Sequence, residues 1–303
     1  MEAVTVAVPT ARRAASLQRL LAALPAAMAG VDAPVLVVDN APSQPARDVV
    51  AAAPLPVRYA VEPRAGSAYA RNTALAQVQT PLVAFLDDDV VPRPGWLPAL
   101  LAGMAAGAVA AGGRVVLDPL VLRPAWLPEE GIGGYLSAHD LGPLARPLQP
   151  GEYLLTANAV FSVAALRAIG GFDPRLGPRP GSQLVADDVH VVRQLQAHGG
   201  TVVWQPEAVV EHELPEARMH RRWLLRRAYL QGRSDWLLDE AELRRRRAGG
   251  ARVALDWLLA EVAARRGERL RRQDVRFHLA TDVARTVGAV RQGLGWRGDR
   301  PPQ

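Results

Sequence analysis

Cysteine is absent from the 303 residues, and so is lysine, so all 36 basic residues are arginine. Without cysteine, neither a disulfide framework nor thiolate chemistry is available, which is compatible with a reducing compartment. The missing lysine, beside an abundance of Ala, Gly and Pro, reads as coding bias and not as function. Long apolar runs are missing too: none reaches the ~18 residues that a membrane-crossing helix requires. The opening Met1-Glu2-Ala3-Val4-Thr5-Val6 lacks a basic n-region and enters a strand directly, so no cleaved export peptide is expected. A cytoplasmic location follows as the expectation, with the inner face of a membrane as the place where any peripheral contact would form. An apolar content of 49% is enough for a sizeable core in one large α/β domain with an appendage.

What is present has an order. Apolar runs at Val4 to Val8, Val35 to Asp39, Val57 to Val61 and Leu82 to Leu86 read as buried strands. Between them, Ser16 to Met28, Pro45 to Ala53 and Ser67 to Gln77 carry helix-forming residues closed by Pro or Gly. This alternation predicts an α/β fold whose central sheet is mostly parallel, with helices on both faces and right-handed crossovers. Trp96 to Ala106 reads as a further helix, and Ala108 to Leu117 as a strand broken at Gly112-Gly113. From Asp118 to Gly151 the dense Pro and Gly predict a long irregular segment of the kind that closes over active sites. A helix from about Ala186 to His198 and two short strands around Pro206 follow.

The chain divides by charge. Residues 1 to 217 hold 15 Arg against 20 Asp plus Glu, whereas residues 218 to 303 hold 21 against 10. We therefore expect a catalytic domain over 1–217 and a basic helical extension over 218–303, with Arg faces alternating with Trp223, Leu224, Trp236, Leu237, Trp257 and Leu258.

Leu82 to Leu86 runs straight into Asp87, Asp88 and Asp89. In an open α/β sheet, ligands gather beyond the carboxyl ends of strands. Three adjacent carboxylates there repel one another unless a cation or hydrogen-bond donors balance them. A hard divalent metal bridging to phosphate oxygens is the economical balance, and a polar turn is the plain alternative.

These acids belong to a collinear series. It comprises Val6-Ala7-Val8-Pro9-Thr10, Val37-Val38-Asp39-Asn40, Arg64-Ala65-Gly66-Ser67-Ala68-Tyr69-Ala70-Arg71-Asn72, Phe85-Leu86-Asp87-Asp88-Asp89, Gly112-Gly113, Gly170-Gly171-Phe172-Asp173, Asp187-Asp188 and His212. Over residues 3 to 232 the order resembles the family 2 glycosyltransferases, inverting nucleotide-sugar enzymes with a Rossmann-like type A fold. The resemblance implies a single sugar moved from a nucleoside-diphosphate sugar, with a UDP- or dTDP-sugar favoured, to a glycan, lipid-linked or small-molecule hydroxyl acceptor. Polysaccharide, glycolipid or glycoconjugate synthesis is the implied setting. A divalent metal, Mn²⁺ or Mg²⁺, is the implied cofactor.

By this match Asp89 is the leading metal ligand, with His212 as a further one; as a lone histidine it reads equally as a structural hydrogen-bonding group. Asp87 takes the ribose side, and Asp88 assists through water. Pro9 and Thr10 offer backbone contacts, and Asp39 binds the base or serves as a turn aspartate. Gly66 allows close approach, while Arg64 and Arg71 offer donors to a diphosphate or lie solvated. Asp188 is the implied base and Asp187 its support, although the family's first acid is usually Glu; an aspartate pair also suits a helix N-terminus. Gly112, Gly113 and Trp126, with Tyr135 and His139, are the acceptor-side candidates, or a glycine bulge and loop anchors. The stretch Met219-His220-Arg221-Arg222-Trp223 lacks the glutamine of processive members, which points to single-sugar transfer.

Two other readings predict different features. A nucleotidyltransferase would share the acidic metal site, yet it would carry a Gly-rich basic loop after the first strand, where Pro9-Thr10-Ala11-Arg12-Arg13 offers only arginines. A nucleic-acid binder acting through the basic tail would leave the acidic clusters unexplained, so no nucleic-acid partner is expected.

Overall fold

A computed structural model describes residues 2–119, 124, 126–127, 133–180, 182, 184–245 and 272–293. The helical pattern around Trp257 and Leu258 lies outside the described residues. Internal packing groups the chain into two units: Met1–Val121 with Ser137–Pro180 and Asp187–Glu213, and Leu122–Leu136 with Gly181–Ala186 and Leu214–Gln303.

The first unit holds β1 (Val4–Thr10), α1 (Ala14–Met28), β2 (Val35–Asp39), α2 (Arg47–Ala51), β3 (Val57–Val61), α3 (Ser67–Gln77), β4 (Leu82–Leu86), β5 (Val90–Pro92) and α4 (Trp96–Ala102). It continues with β6 (Ala110–Leu117), β7 (Arg146–Pro147), β8 (Asn158–Ser162), α5 (Val163–Ala168), α6 (Asp187–Ala197) and β9 (Val202–His212). Strand order is β3-β2-β1-β4-β8-β6-β9-β5, with β7 beside β9.

Pairing is parallel through β3-β2-β1-β4, as the βαβ rhythm requires. Beyond β4 the sheet is mixed: β8 runs antiparallel to both β4 and β6, while β6 and β9 are parallel. Sequence rhythm loses this half because β8 arrives after a long irregular connection and not through a regular crossover.

The apolar runs bury both faces by strand alternation. Val4, Val6, Val8, Val35, Val37, Leu82, Ala84 and Leu86 join one core with the Leu17, Leu20, Leu21 and Leu24 stripe of α1. Ala7, Leu36, Val38, Val83 and Phe85 join the other, with Ala70 and Ala74 of α3 and Phe161, Phe172 and Trp204. Each fully buried leucine contributes about 1.5–3 kcal/mol of transfer free energy.

Three expectations are corrected. Helix α4 ends at Ala102, short of Ala106, and a short 3-10 turn at Ala105–Gly107 follows it; at Gly103 between them an added Cβ would lie 2.6 Å from the Ala111 Cβ. The two short strands around Pro206 are one strand, β9, whose register against β6 slips between Gly113↔Gln205 and Arg114↔Val209. This irregularity accommodates Pro206, which has no N–H for a ladder bond. Strand β6 in turn runs unbroken through Gly112-Gly113.

In the second unit, α7 (Arg221–Arg245) packs against α8 (Arg272–Gly293). The backbones meet at glycines: a Cβ on Gly232 would lie 1.7 Å from the Arg285 carbonyl oxygen, and one on Gly288 1.9 Å from that of Tyr229. Arg285 Nε donates to Asp235 Oδ2 at 2.7 Å and Arg233 Nε to Gln292 Oε1 at 2.9 Å, so part of the arginine charge is taken up within the helix pair. No described helix is long and apolar enough to cross a membrane.

Candidate active site

The chain leaves β1 for β2 on one side and returns through β4 on the other, so the carboxyl ends of β1 and β4 form a topological switch point. Thr10 and the acidic run meet there. Thr10 Oγ1 donates to Asp88 Oδ2 at 2.8 Å, and the Ala11 N–H donates to the same oxygen at 3.2 Å. Arg13, at the N-terminus of α1, places one nitrogen, Nη1, 2.8 Å from Asp88 Oδ1 and 2.6 Å from Asp89 Oδ2. Asp88 is therefore buried as a strut between β1 and β4. Burial pushes its carboxyl up to about 6, against the pull of Arg13.

Asp87 takes a different partner. Its Oδ1 accepts from Arg71 Nη2 at 2.8 Å, while Arg71 Nη1 donates to Asp187 Oδ2 at 2.7 Å. Arg71 is 5% exposed. Expected as a diphosphate donor or a solvated surface residue, it is instead an internal counterion joining the strand end to the start of α6. The Gly170-Gly171-Phe172-Asp173 turn fixes its place. Asn72 exchanges two hydrogen bonds with the Phe172 backbone, at 2.7 and 2.8 Å. The Phe172 ring lies 5.7 Å beneath the Arg71 guanidinium and edge-on to Phe85.

Asp188, beside Asp187, touches no guanidinium among the described residues. Thr156 holds it, donating both Oγ1–H and N–H to Oδ1, while Oδ2 accepts no hydrogen bond from the described residues. Burial, and then the neighbouring Asp187 carboxylate, drive the Asp188 carboxyl far above the usual carboxylate range, with Arg71 pulling the other way. Neither acid of the pair caps its own helix; both accept from other elements.

His212 ends β9, opposite Val90 of β5 and Leu117 of β6. Its Nε2 lies 3.6 Å from Asp89 Oδ2, and the Glu213 N–H donates to the Asp89 carbonyl at 2.9 Å. A carboxylate oxygen and an imidazole nitrogen so placed fit a hard divalent ion that draws its other ligands from phosphate oxygens and water. The described residues hold no cluster of three or more His, Cys, Asp or Glu that could hold a metal.

Other candidates serve the surrounding loops. Asp39 is fully buried, accepting from the Ala41 and Ala46 N–H groups at 3.0 and 3.1 Å and from Tyr59 Oη at 2.9 Å. The turn-aspartate alternative describes this geometry. Burial and then the Asp39 bond push the Tyr59 hydroxyl up to about 12. Asn40 ties down the following loop, donating to the carbonyls of Glu62 and Arg64 at 2.8 Å and accepting from the Gly66 N–H at 2.7 Å. Arg64 pairs with Glu62 at 2.8 Å, and its hydrogen bonds hold the Glu62 carboxyl down at about 2. Gly66 sits at φ 145°, with Arg179 Cβ 3.2 Å from where its own Cβ would be. Pro9 is a buried β1 residue.

The acceptor-side candidates pack into the protein. A Cβ on Gly112 would lie 2.8 Å from the Leu154 side chain, and one on Gly113 1.9 Å from the Ala208 carbonyl oxygen. The glycines permit the close passage of β9. Asn158 secures it, donating to the Arg114 and Ala208 carbonyls at 2.9 and 2.8 Å and accepting from Trp96 Nε1 at 2.7 Å. His139 bonds the Tyr153 carbonyl at 2.9 Å and packs against Tyr153 and Trp204 as a loop anchor. Trp126 and Tyr135 belong to the second unit, where the Arg221 guanidinium stacks 5.1 Å from the Trp126 ring centre.

Sequence reasoning missed Arg13 and Thr156. Arg13 was visible only as one of two arginines after β1. Thr156 carries no motif, and only tertiary contact brings it to Asp188.

Comparison with known proteins follows the same outline. The sequence pattern of glycosyl transferase family 2 matches residues 5–164. The chain is 31% identical over 237 residues to a pre-mycofactocin glycosyltransferase of Mycobacterium tuberculosis, covering 76% of this chain and 46% of that protein. It thus spans about half the length of that relative. It is 28% identical over 177 residues to a glucosyl-dolichyl phosphate glucuronosyltransferase of Haloferax volcanii, covering 57% of this chain and 56% of the relative. Among solved structures, the mannosyltransferase PcManGT from Pyrobaculum calidifontis, in complex with GDP-Man and Mn²⁺, superposes with a TM-score of 0.62 at 20% identity, covering 96% of this chain and 87% of its own. That likeness concerns the fold, a mixed α/β sheet of glycosyltransferase A type. The chain belongs to glycosyl transferase family 2.

Proposed function

We propose that this chain transfers one sugar from a nucleoside-diphosphate sugar to a hydroxyl acceptor with inversion at the anomeric carbon, residues 1–217 carrying the chemistry. The observation that carries the reading is Asp188. It is a partly exposed carboxylate with one oxygen fixed by Thr156, no arginine partner among the described residues, and a second oxygen left for a substrate proton.

In this reading the Asp188 Oδ2 takes the acceptor's hydroxyl proton as that oxygen attacks the anomeric carbon. The bond to the diphosphate breaks on the opposite side, the nucleoside diphosphate leaves, and the proton passes from Asp188 to solvent. A base whose pKa lies near the working pH suits the task, and burial moves Asp188 in that direction. Asp187, held by Arg71, keeps the start of α6 facing the strand end. Asp87, about one-third exposed, is offered to the ribose. Asp89 and His212 would hold Mn²⁺ or Mg²⁺, which when bound stabilises negative charge on the departing diphosphate.

A nucleotide-sugar donor accords with the relatives, one of which is a glucuronosyltransferase, and with the fold neighbour that holds GDP-Man. Family habit favours uridine or deoxythymidine carriers, so the carrier is a matter for direct measurement. The acceptor is a glycan, a lipid-linked sugar or a small molecule, and the site works in the cytoplasm or at the inner membrane face.

Calorimetric titration with uridine, deoxythymidine and guanosine diphosphates, each with Mn²⁺ and with chelator, tests the donor side. Metal-dependent binding of one of them is the expected result, and binding of none would overturn the reading. Release of nucleoside diphosphate during turnover, in place of pyrophosphate, separates sugar transfer from nucleotidyl transfer.

A further inference from the structure

The acidic strand end is already contacted by cations of the protein's own. Arg71 serves Asp87, and a single nitrogen of Arg13 serves both Asp88 and Asp89. The oxygen Arg13 holds on Asp89, Oδ2, is the one that lies 3.6 Å from His212 Nε2. A divalent ion coordinated between Asp89 and His212 would therefore approach an oxygen that a guanidinium occupies at 2.6 Å. Two cations on one oxygen lie well inside the ~8 Å over which salt screens charge, so each weakens the other's binding. Arg13 can move: its side chain is 43% exposed. Its Nε and Nη2 donate to no described residue, leaving two planar donors suited to phosphate oxygens.

We infer that Arg13 is a built-in counterion competing with the metal for Asp89, which turns to the donor's diphosphate when the nucleotide binds and so couples nucleotide binding to metal binding. The inference rests on the metal assignment proposed above. Without nucleotide, Arg13 offsets part of the charge of Asp88 and Asp89 and holds free metal affinity low. With nucleotide, the phosphates attract the guanidinium and release the Asp89 oxygen. By linkage, the metal raises nucleotide affinity by the same factor that nucleotide raises metal affinity.

The test measures Mn²⁺ binding by electron paramagnetic resonance on the full chain, with no turnover involved, with and without uridine or guanosine diphosphate. Arg13→Gln should bind Mn²⁺ alone about tenfold tighter than the unaltered protein and show a nucleotide-induced gain about tenfold smaller. Arg12→Gln removes the same charge one residue away, from a residue that does not touch Asp89, and should change Mn²⁺ affinity less than about twofold. Arg13→Lys keeps the charge without the fork and guards against a glutamine variant that fails to fold; it should leave Mn²⁺ affinity low while weakening nucleotide binding. Mn²⁺ binding that disappears in Asp89→Asn yet is no tighter in Arg13→Gln than in the unaltered protein would overturn the role of Arg13 alone. Mn²⁺ binding indifferent to Asp89→Asn would overturn the metal assignment and the inference with it.

Discussion

At the strand end, Asp87, Asp88 and Asp89 all accept from arginine, whereas at the start of α6 Asp188 accepts, among the described residues, from Thr156 alone. The two regions are bridged by Arg71, which serves Asp87 on one side and Asp187 on the other. A guanidinium in contact pulls a carboxylate towards its ionised form, as Arg13 does for Asp88 against the burial that raises it to about 6. Asp188, desolvated beside a second acid and bonded by hydroxyl and amide donors among the described residues, holds its proton to a higher pH. Two arginines are thus shared among four of the five acids, and in the proposed mechanism the fifth, Asp188, is the proton acceptor.

The strongest way to break this comparison is Asp188→Asn, which should lower turnover about 10²- to 10⁴-fold while calorimetric donor binding stays near that of the unaltered protein. A variant keeping more than about a tenth of the rate would place the base elsewhere. Arg71→Met attacks the bridge itself. It leaves two carboxylates facing a buried apolar chain and should cost about 3–5 kcal/mol in urea unfolding; a loss below about 1 kcal/mol would mean that water replaces the guanidinium. Gly113→Ala tests whether the second half of the sheet is held independently of the acids. Its Cβ meets the Ala208 carbonyl, so a loss of about 1–3 kcal/mol is expected, with donor affinity retained.

The subtlest change, Thr156→Val, sharpens the contrast. The Thr156 bond favours the ionised form of Asp188, so its removal should move the acid limb of the pH–rate profile to higher pH and lower turnover about tenfold, with Ser restoring both. Because Asp188 must be ionised to accept a proton, activity in the unaltered protein should fall as pH drops through its raised folded pKa, well above the ordinary carboxylate range. The stability linkage has the opposite sense. The unfolded chain loses this proton first as pH rises, so the group's destabilising contribution grows from the unfolded pKa and is complete above the folded one. Asp188→Asn should therefore gain stability relative to the unaltered protein as pH rises, measurable by thermal melts across that window.

Much of the first half was legible because its signals are local. Strands Val35–Asp39, Val57–Val61 and Leu82–Leu86 and helix Ser67–Gln77 fall where apolar runs and helix formers place them. The acidic run sits at a strand end for the same reason. Legibility fails where a contact between distant residues decides. Pro206 marks a slip within one strand because β6 passes alongside, and Gly112-Gly113 exist for the approach of Leu154 and Ala208. Arg71 is an internal counterion and not a surface cation because the Phe172 turn covers it.

The sequence by itself determined the period-two burial of the strands, the helices between them and the positions of the acids, since each follows from side-chain spacing within a few residues. Only the tertiary structure decided which acids receive an arginine. Arg13, Arg71 and Thr156 reach Asp88, Asp187 and Asp188 across 75, 116 and 32 residues. Charge, burial and proton affinity at a carboxylate are set by what lies within a few ångströms in space, which no local pattern along the chain encodes.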